Sequence, residues 1–205
     1  LIITTPEDNY MFKNLLGDGS QWGVSIDYAI QDKPEGIAQS LIIAEDWLSG
    51  NPLVLILGDN LFFGPHLAEI IEDSISTNMG STIFSYQVDE PQRYGVIDLD
   101  NDLNIKAIQE KPENPKSNWI VTGLYIYDNH AVDYVKSLKK SERGEYEITD
   151  LNKLYLEKKL LNPIFLNDKF SWLDTGTFET LFEASKFVKE IEKNSDKKVV
   201  DLIIK

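Results

Sequence analysis

One short run of apolar residues constrains the fold more than any other feature of this sequence. The run from Leu53 to Leu57 is continuously apolar and leads directly into Gly58 and Asp59. An uninterrupted run of this length is typical of a strand that is covered on both faces, and such strands occur mainly in parallel sheets. In open α/β sheets, ligands bind beyond the carboxyl ends of the strands. We therefore expect an α/β fold that places Asp59 at the ligand-binding edge of its sheet.

Extended and helical patterns alternate along the rest of the chain. Period-two and apolar runs predict strands over residues 1–5, 24–30, 81–88, 95–99, 104–110 and 119–127, with a hairpin tip at 100–102. Helical spacing predicts helices over 9–16, 36–48, 129–138, 148–157 and 177–193. In the last helix we expect Thr177 at the N-cap and apolar side chains such as Phe178 and Phe182 facing inward. These patterns favour a mixed sheet flanked by helices, with an antiparallel β insertion, in one domain over residues 1–205.

Charge and cysteine content exclude several classes of protein. The chain has no cysteine, so it forms neither a disulfide-stapled module nor a thiolate zinc site. Its 34 acidic and 20 basic side chains leave a net charge of -14, which disfavours a nucleic-acid partner. The longest apolar runs are far shorter than the roughly 20 residues of a membrane helix. We expect a soluble, cytoplasmic protein without a membrane partner.

A second aspartate also follows an apolar stretch and precedes a glycine and a long helix. Asp174 stands in this position, as Asp59 does after the buried strand. If the fold brings both carboxylates together, they suit Mg²⁺, which takes one or two protein carboxylates together with substrate phosphates. The alternatives are that Asp59 only forms a turn with Asn60 and that Asp174 only caps the helix.

Two basic residues stand where an anionic substrate could use them. Lys111 follows a predicted strand and precedes Pro112, and Arg143 lies in an otherwise acidic loop. In a strongly acidic protein, phosphate binding needs specific local cations. Lys111 and Arg143 are therefore candidate phosphate ligands, although either could instead be an ordinary solvent-exposed charge.

A series of motifs occurs in order along nearly the whole chain. They are LGDGSQWG at 16–23, Gln31 followed by PEGIAQ at 34–39, LGDN at 57–60, RYGV at 93–96, EKP at 110–112, KSN at 116–118, VTGLY at 121–125, RGE at 143–145, EITD at 147–150 and WLDTGT at 172–177. This series closely resembles the bacterial glucose-1-phosphate thymidylyltransferases, or dTDP-glucose pyrophosphorylases, of the sugar nucleotidyltransferase family. The resemblance implies a Rossmann-like nucleotidyltransferase fold.

The resemblance also implies a reaction and its partners. The expected reaction converts dTTP and glucose 1-phosphate into dTDP-glucose and pyrophosphate, which feeds dTDP-rhamnose and related deoxysugars, and the expected assembly is a homotetramer. Gln31 and the backbone at Gly36 are expected to read the thymine. Asp59 and Asp174 are expected to hold Mg²⁺ against the nucleotide phosphates.

Further roles follow from the resemblance on the sugar side. Lys111 and Arg143 are expected to bind the sugar phosphate, and with Asp59 and Asp174 they form the expected catalytic set. The remaining expected substrate-binding residues are Asn60, Tyr94, Gly95, Glu110, Val121 and Trp172.

Three other functions stay open from the sequence. They are a uridylyltransferase that uses UTP, a metal-independent glycosidase with Asp59 and Asp174 as its carboxylate pair, and a non-catalytic fragment that binds sugar nucleotides. The family's glycine-rich phosphate loop is expected before Leu1 and its helical tail after Lys205. We therefore expect a chain truncated at both ends, with impaired activity in isolation.

Overall fold

The secondary structure contains the predicted strands and helices, and it adds strands at 60–63, 161–165 and 171–174 and a helix at 67–77 that were not predicted. The computed structural model describes residues 1–195, so the predicted shortening of the C-terminal tail lies outside the described residues. The strands are β1 Ile2–Thr4, β2 Tyr28–Ile30, β3 Leu53–Ile56, β4 Asn60–Phe63, β5 Ser81–Gln87, β6 Gly95–Leu99, β7 Ile105–Glu110, β8 Trp119–Tyr127, β9 Leu161–Phe165 and β10 Ser171–Asp174. The helices are α1 Pro6–Leu16, α2 Gln39–Ile43, α3 Glu45–Leu48, α4 Leu67–Thr77, α5 Ala131–Ser137, α6 Ile148–Glu157 and α7 Phe178–Ser195.

The contacts of the chain divide it into two compact units. Unit 1 comprises Leu1–Leu53 and Tyr127–Leu160, and unit 2 comprises Val54–Ile126 and the described residues from 161 to 195. The single domain expected over residues 1–205 stays a prediction. Within residues 1–195, no helix is both long and apolar enough to cross a membrane.

Unit 1 combines a two-stranded parallel sheet with helices. Strand β1 pairs in parallel with β2, and α1 begins directly after β1. The Thr5 hydroxyl caps α1 by accepting from the Asp8 N–H at 3.3 Å. A separate group of fully buried side chains, among them Leu41, Val135 and Leu151, joins α2, α5 and α6. The apolar faces of these short helices therefore form the core of this unit.

Unit 2 is built around a mixed sheet with the strand order β7-β6-β8-β5-β9, and β3 pairs with β8. Strands β5 and β9 are parallel, whereas β6 is antiparallel to both β7 and β8. Phe84 and Ile120 lie in the core of this sheet, and α4 packs against it through Ile70 and Ile71. The antiparallel insertion and the hairpin between β6 and β7 are thus confirmed.

A second, small sheet in unit 2 positions the candidate site. Strand β4 pairs with β10 in antiparallel register, so that Asn60 is opposite Asp174. Because β4 begins directly after Asp59, this register carries the two aspartates that the sequence singled out to the same end of the small sheet.

Two expectations about buried faces were wrong for the described residues. Along β3, Val54 and Ile56 are 45% and 56% exposed, so only alternate residues of the apolar run are covered. In α7, Phe178 is 94% exposed and Phe182 is also exposed, because the helix buries its small residue Ala184 instead. The apolar composition of β3 and α7 did not indicate which side of each element would be buried against the rest of the chain.

Several element boundaries differ from the predictions, and two of the differences are large. The helix expected over 36–48 forms as two short helices, α2 and α3, which meet at Ala44. The strand expected over 24–30 is confined to Tyr28–Ile30. The prediction for α6 over 148–157 is confirmed to the residue.

Candidate active site

The loop after β3 and the end of β10 bring Asp59 and Asp174 together. Thr175 donates both its backbone N–H and its side-chain hydroxyl to the Asp59 carbonyl oxygen, each at 2.8 Å. These two bonds tie the residue after Asp174 to Asp59 itself. The meeting of the two aspartates, which the sequence made a condition for metal binding, therefore occurs in unit 2.

Gly176 leaves a small space that both carboxylates face. A Cβ atom at Gly176 would lie 3.1 Å from Asp174 Oδ1 and 3.5 Å from Asp59 Oδ2. The Gly176 N–H donates to Asp174 Oδ1 at 3.0 Å. Asp174 does not cap α7, since the Thr177 hydroxyl accepts from the Thr180 N–H at 3.2 Å and fills that position as predicted.

Two carboxylates suit Mg²⁺, because this ion does not need a site in which the protein supplies every ligand. Within residues 1–195, no group of three or more His, Cys, Asp or Glu side chains is arranged to hold a metal ion. Two carboxylates facing one space leave most coordination positions to water and phosphate oxygens, which is the usual pattern for Mg²⁺. Asp59 and Asp174 are the residues that would hold the ion.

Asn60 connects this carboxylate pair to two neighbouring strands. Its Oδ1 accepts from the Gly123 N–H at 3.0 Å and from Trp172 Nε1 at 2.7 Å, while its Nδ2 donates to Asp59 Oδ1 at 2.8 Å. A Cβ atom at Gly123 would lie 2.6 Å from Asn60 Oδ1, so only glycine allows this approach. The contact of Asn60 with substrate stays a prediction, and the structure adds a positioning role that the sequence did not indicate.

Aromatic rings cover one side of the carboxylate pair. The Tyr94 hydroxyl donates to Asp174 Oδ2 at 3.2 Å, and its ring meets the Trp172 ring edge-on at a centroid distance of 5.3 Å. Trp172 is only 7% exposed. Burial, and then the charge of Asp174, raises the pKa of Tyr94 above its ordinary value. The phenol is therefore a neutral donor at physiological pH.

Five of the predicted substrate-binding residues lie together where β6, β7 and β8 run side by side. Gly95 is opposite Glu110 on one side and Val121 on the other. The Lys111 N–H donates to the Tyr94 carbonyl oxygen at 3.0 Å, and Lys111 Nζ lies 3.9 Å from Glu110 Oε1. Lys111 has a φ of 41°, a left-handed conformation that is uncommon outside glycine and often found at functional sites.

A cavity of about 440 Å³ borders the carboxylate pair on another side. Asp59, Asn60 and Thr175 line it from the strand ends, and Leu181 and Ala184 line it from α7. Its volume is in the range of small-molecule sites.

Gln31 and Gly36, the predicted thymine readers, are neighbours in unit 1. Gln31 follows β2, and its backbone N–H donates to the Thr4 carbonyl oxygen at 2.8 Å. Its side-chain Nε2 donates to the Gly36 carbonyl oxygen at 3.2 Å and to Gln39 Oε1. Gly36 has a φ of 98°, and a Cβ atom there would lie 2.4 Å from the Tyr146 carbonyl oxygen, so this turn requires glycine.

Arg143, the second predicted phosphate ligand, is also in unit 1 and contacts two acidic side chains. Its guanidinium pairs with Glu145, and its Nε lies 3.2 Å from Oε1 of the buried Glu147. These carboxylates hold the side chain in one orientation. Phosphate binding by Arg143 stays a prediction.

Sequence reasoning missed four residues that organise these groups, namely Glu35, Gln39, Gly123 and Thr175. Glu35 and Gln39 stood in a quoted motif, but they pair across the turn that precedes α2, where no helical spacing rule applies. Gly123 and Thr175 act through partners that lie 63 and 116 positions away along the chain, so no local pattern identifies them.

Comparison with known proteins identifies the family of this chain. A family model described as nucleotidyl transferase matches residues 1–191. A glucose-1-phosphate thymidylyltransferase of Neisseria meningitidis is 48% identical over 192 residues, which cover 94% of this chain and 67% of that protein. One of Mycolicibacterium smegmatis is 46% identical over 199 residues, covering 97% and 69%. The chain thus spans about two thirds of the length of these relatives.

Solved structures share the fold. A Bacillus anthracis structure described as a glucose-1-phosphate thymidylyltransferase in complex with a sucrose has a TM-score of 0.81 at 39% identity, covering 91% of this chain and 74% of that one. A UDP-glucose pyrophosphorylase complexed with UDP-glucose has a TM-score of 0.74 at 22% identity, covering 92% and 74%, and this likeness concerns the fold alone. The predicted nucleotidyltransferase fold is confirmed. The chain belongs to the nucleotidyl transferase family, among the glucose-1-phosphate thymidylyltransferases.

Proposed function

We propose that this chain carries out Mg²⁺-dependent transfer of a thymidylyl group from dTTP to glucose 1-phosphate, forming dTDP-glucose and pyrophosphate. The observation that carries the proposal is the convergence of Asp59 and Asp174 on the space beside Gly176. Relatives that are 46–48% identical and named for this reaction support it. The wider substrate class, nucleoside triphosphates and sugar phosphates, follows from the same relatives.

The chemistry requires charge control and alignment rather than proton transfer. An oxygen of the sugar phosphate attacks the α-phosphorus of dTTP, the new P–O bond forms in line, and pyrophosphate leaves on the opposite side. This oxygen is already anionic at neutral pH, so no general base is needed. Mg²⁺, when bound, would neutralise charge on the nucleotide phosphates. Asp59 and Asp174 would hold that ion, while Asn60 and Tyr94 orient the two carboxylates.

The sugar side of the proposal uses the strand ends of unit 2. Tyr94, Gly95, Glu110 and Val121 line the glucose pocket, with Trp172 packed beside it. Lys111, constrained by its left-handed backbone, binds the sugar phosphate. Arg143 is the second proposed phosphate ligand, and Gln31 with the Gly36 backbone is proposed to contact the base.

A pyrophosphate-release assay on the full-length protein tests the function. We expect turnover with dTTP, glucose 1-phosphate and Mg²⁺, and loss of turnover with a chelator. The same assay with UTP measures the competing uridylyltransferase activity, because uracil and thymine share the edge that Gln31 would contact. A higher kcat/KM with UTP than with dTTP would contradict the proposal and favour a uridylyltransferase. Hydrolysis of a glycoside without metal would contradict it and favour a glycosidase.

The proposal also covers the pathway, the assembly and the location of the protein. They are a place in dTDP-rhamnose or related deoxysugar synthesis, a homotetrameric assembly and a cytoplasmic location. Light scattering of the full-length protein measures the assembly directly, and a mass other than that of four chains would contradict it.

A further inference from the structure

Four side chains of unit 1 form a continuous hydrogen-bonded relay that ends at Gln31. Lys140 Nζ lies 2.7 Å from Glu35 Oε1, and Glu35 Oε2 accepts from Gln39 Nε2 at 2.9 Å. Gln39 Oε1 accepts from the Glu35 backbone N–H at 3.3 Å and from Gln31 Nε2. Gln31 Nε2 also donates to the Gly36 carbonyl oxygen at 3.2 Å.

The chemistry of the partners determines how both amides are oriented. A carboxylate only accepts and a backbone N–H only donates, so Gln39 must direct its NH₂ group to the Glu35 carboxylate and its oxygen to the Glu35 N–H. The hydrogen bond from Lys140 lowers the pKa of Glu35, which keeps it a carboxylate at neutral pH. Gln31 then faces two acceptors, Gln39 Oε1 and the Gly36 carbonyl oxygen, and both require its NH₂ group.

This orientation leaves a defined pair of groups for a ligand. Among residues 1–195, no hydrogen-bond partner is found for Gln31 Oε1 or for the Gly36 N–H. Gln31 is half-buried directly after β2, at the carboxyl end of that strand, where α/β sheets bind ligands. The free groups are one acceptor and one donor. They complement an imide edge, in which an N–H donor lies beside a carbonyl acceptor.

We propose that Gln39, held by Glu35, is a specificity-determining residue that fixes the Gln31 carbonyl oxygen toward the base, so that the site takes thymine or uracil nucleotides in preference to cytosine. Thymine and uracil present an N3–H donor beside a carbonyl. Cytosine presents the reverse order, an N3 acceptor beside an amino donor. This inference rests on the base contact of Gln31 in the proposed function and adds the residues that set its direction.

The test compares the affinities for dTTP and dCTP, measured by calorimetry on the full-length protein, together with kcat/KM for both. In Gln39→Leu the Gln31 amide loses one of its two acceptors and can rotate. We expect the ratio of dTTP to dCTP affinity to fall about fivefold to tenfold, the effect of one net hydrogen bond. We expect KM for dTTP to rise while kcat changes little, because the phosphates are held elsewhere.

Two variants separate a directional role from a general structural one. The exchange variant Glu35→Gln/Gln39→Glu keeps an acceptor for Gln31 Nε2 and swaps donor and acceptor between positions 35 and 39, so it should restore the ratio to within about twofold of the starting protein. Gln21→Leu is the matched control, because Gln21 also donates its amide to a backbone carbonyl, that of Leu16 at 2.8 Å, without contacting the relay.

The outcomes distinguish the inference from the proposed function. If Gln31→Leu lowers the dTTP to dCTP ratio but Gln39→Leu leaves it unchanged, the role of Gln39 is overturned and the base contact stands. If neither variant changes the ratio, the base contact of Gln31 is wrong as well. Binding is measured without turnover, so absence of thymidylyl transfer would contradict the proposed function without deciding the role of Gln39.

Discussion

The side chain of Asn60 holds the carboxylate of Asp59, with Nδ2 donating to Oδ1 at 2.8 Å. The same side chain accepts from Trp172 on β10, so the position of Asp59 depends on the contact between the two strands of the small sheet. Replacing Asn60 with Leu removes both of these bonds and the one from the Gly123 N–H. We expect kcat/KM to fall about 10-fold to 100-fold, as for other residues that orient metal ligands.

A second readout of Asn60→Leu does not depend on turnover. The buried Trp172 indole loses its acceptor, so its fluorescence emission should change, and a Trp172→Phe variant identifies that contribution. Asn162→Leu, at an exposed strand position, is the control and should alter neither quantity. Unchanged kcat/KM in Asn60→Leu would contradict the positioning role.

Replacing either aspartate of the pair with asparagine removes one negative charge from the proposed metal site. We expect Asp59→Asn and Asp174→Asn each to lower kcat/KM by about 10²-fold to 10³-fold and to raise the Mg²⁺ concentration that gives half-maximal rate. Titrations of rate against Mg²⁺ measure both effects. Asp168 is an exposed loop residue, so the Asp168→Asn variant should have the kcat/KM of the unmodified protein. An equal loss of kcat/KM in this variant would contradict a metal site at Asp59 and Asp174.

Gly176→Ala tests whether the space between the carboxylates matters. The added methyl group would lie 3.1 Å from Asp174 Oδ1 and 3.5 Å from Asp59 Oδ2, in contact with the oxygens but not with the backbone of another strand. We expect the Mg²⁺ concentration that gives half-maximal rate to rise about 10-fold. The melting temperature should stay close to that of the starting protein. A variant that lost stability while keeping its response to Mg²⁺ would show that Gly176 serves the fold instead.

Gly123→Ala should destabilise the fold. Its methyl carbon would lie 2.6 Å from Asn60 Oδ1, in a position where Asn60 is held by three hydrogen bonds and cannot move freely. We expect a loss of about 1–3 kcal/mol in the free energy of unfolding, measured by denaturant titration. Gly58→Ala is the control for stability, since a Cβ atom there meets nothing within 4 Å. Equal stabilities would show that the strand relaxes around the methyl group.

Tyr94→Phe tests a prediction about pH. The raised pKa of Tyr94 means that the folded protein favours the neutral phenol, so its contribution to stability is complete below about pH 10 and is lost only as the pH rises through the raised value. Removing the hydroxyl takes one donor from Asp174. We expect the rate to fall about threefold to tenfold, by the same factor at every pH between about 6 and 9. A factor that varied with pH across this window would indicate that Tyr94 titrates there.

Prediction from the sequence succeeded where local pattern decides structure. The bounds of α6, the strand–turn–strand unit of β6 and β7, and the Thr177 cap each depend on residues within a few positions of one another. The placement of Asp59 and Asp174 at strand ends followed from the same local signals.

Prediction failed where the outcome depended on distant partners. Val54 and Phe178 are apolar, yet each is exposed in the described residues, because burial requires a matching surface elsewhere in the chain. The orientation of Gln31 shows the same limit within one motif. Its spacing to Gln39 was visible, but which end of the amide would be free depended on the carboxylate of Glu35 and on Lys140, more than 100 positions away.

The sequence by itself determined the family, most of the elements and the residue types that could carry the chemistry, because hydrophobic periodicity, turn residues and motifs are local properties. Only the tertiary structure decided that Asp59 and Asp174 share one space and that Asn60 holds Asp59. It also decided which atom of Gln31 is left for a ligand. Each of these outcomes is a relationship between chain segments, and hydrogen-bond geometry is defined only when those segments meet.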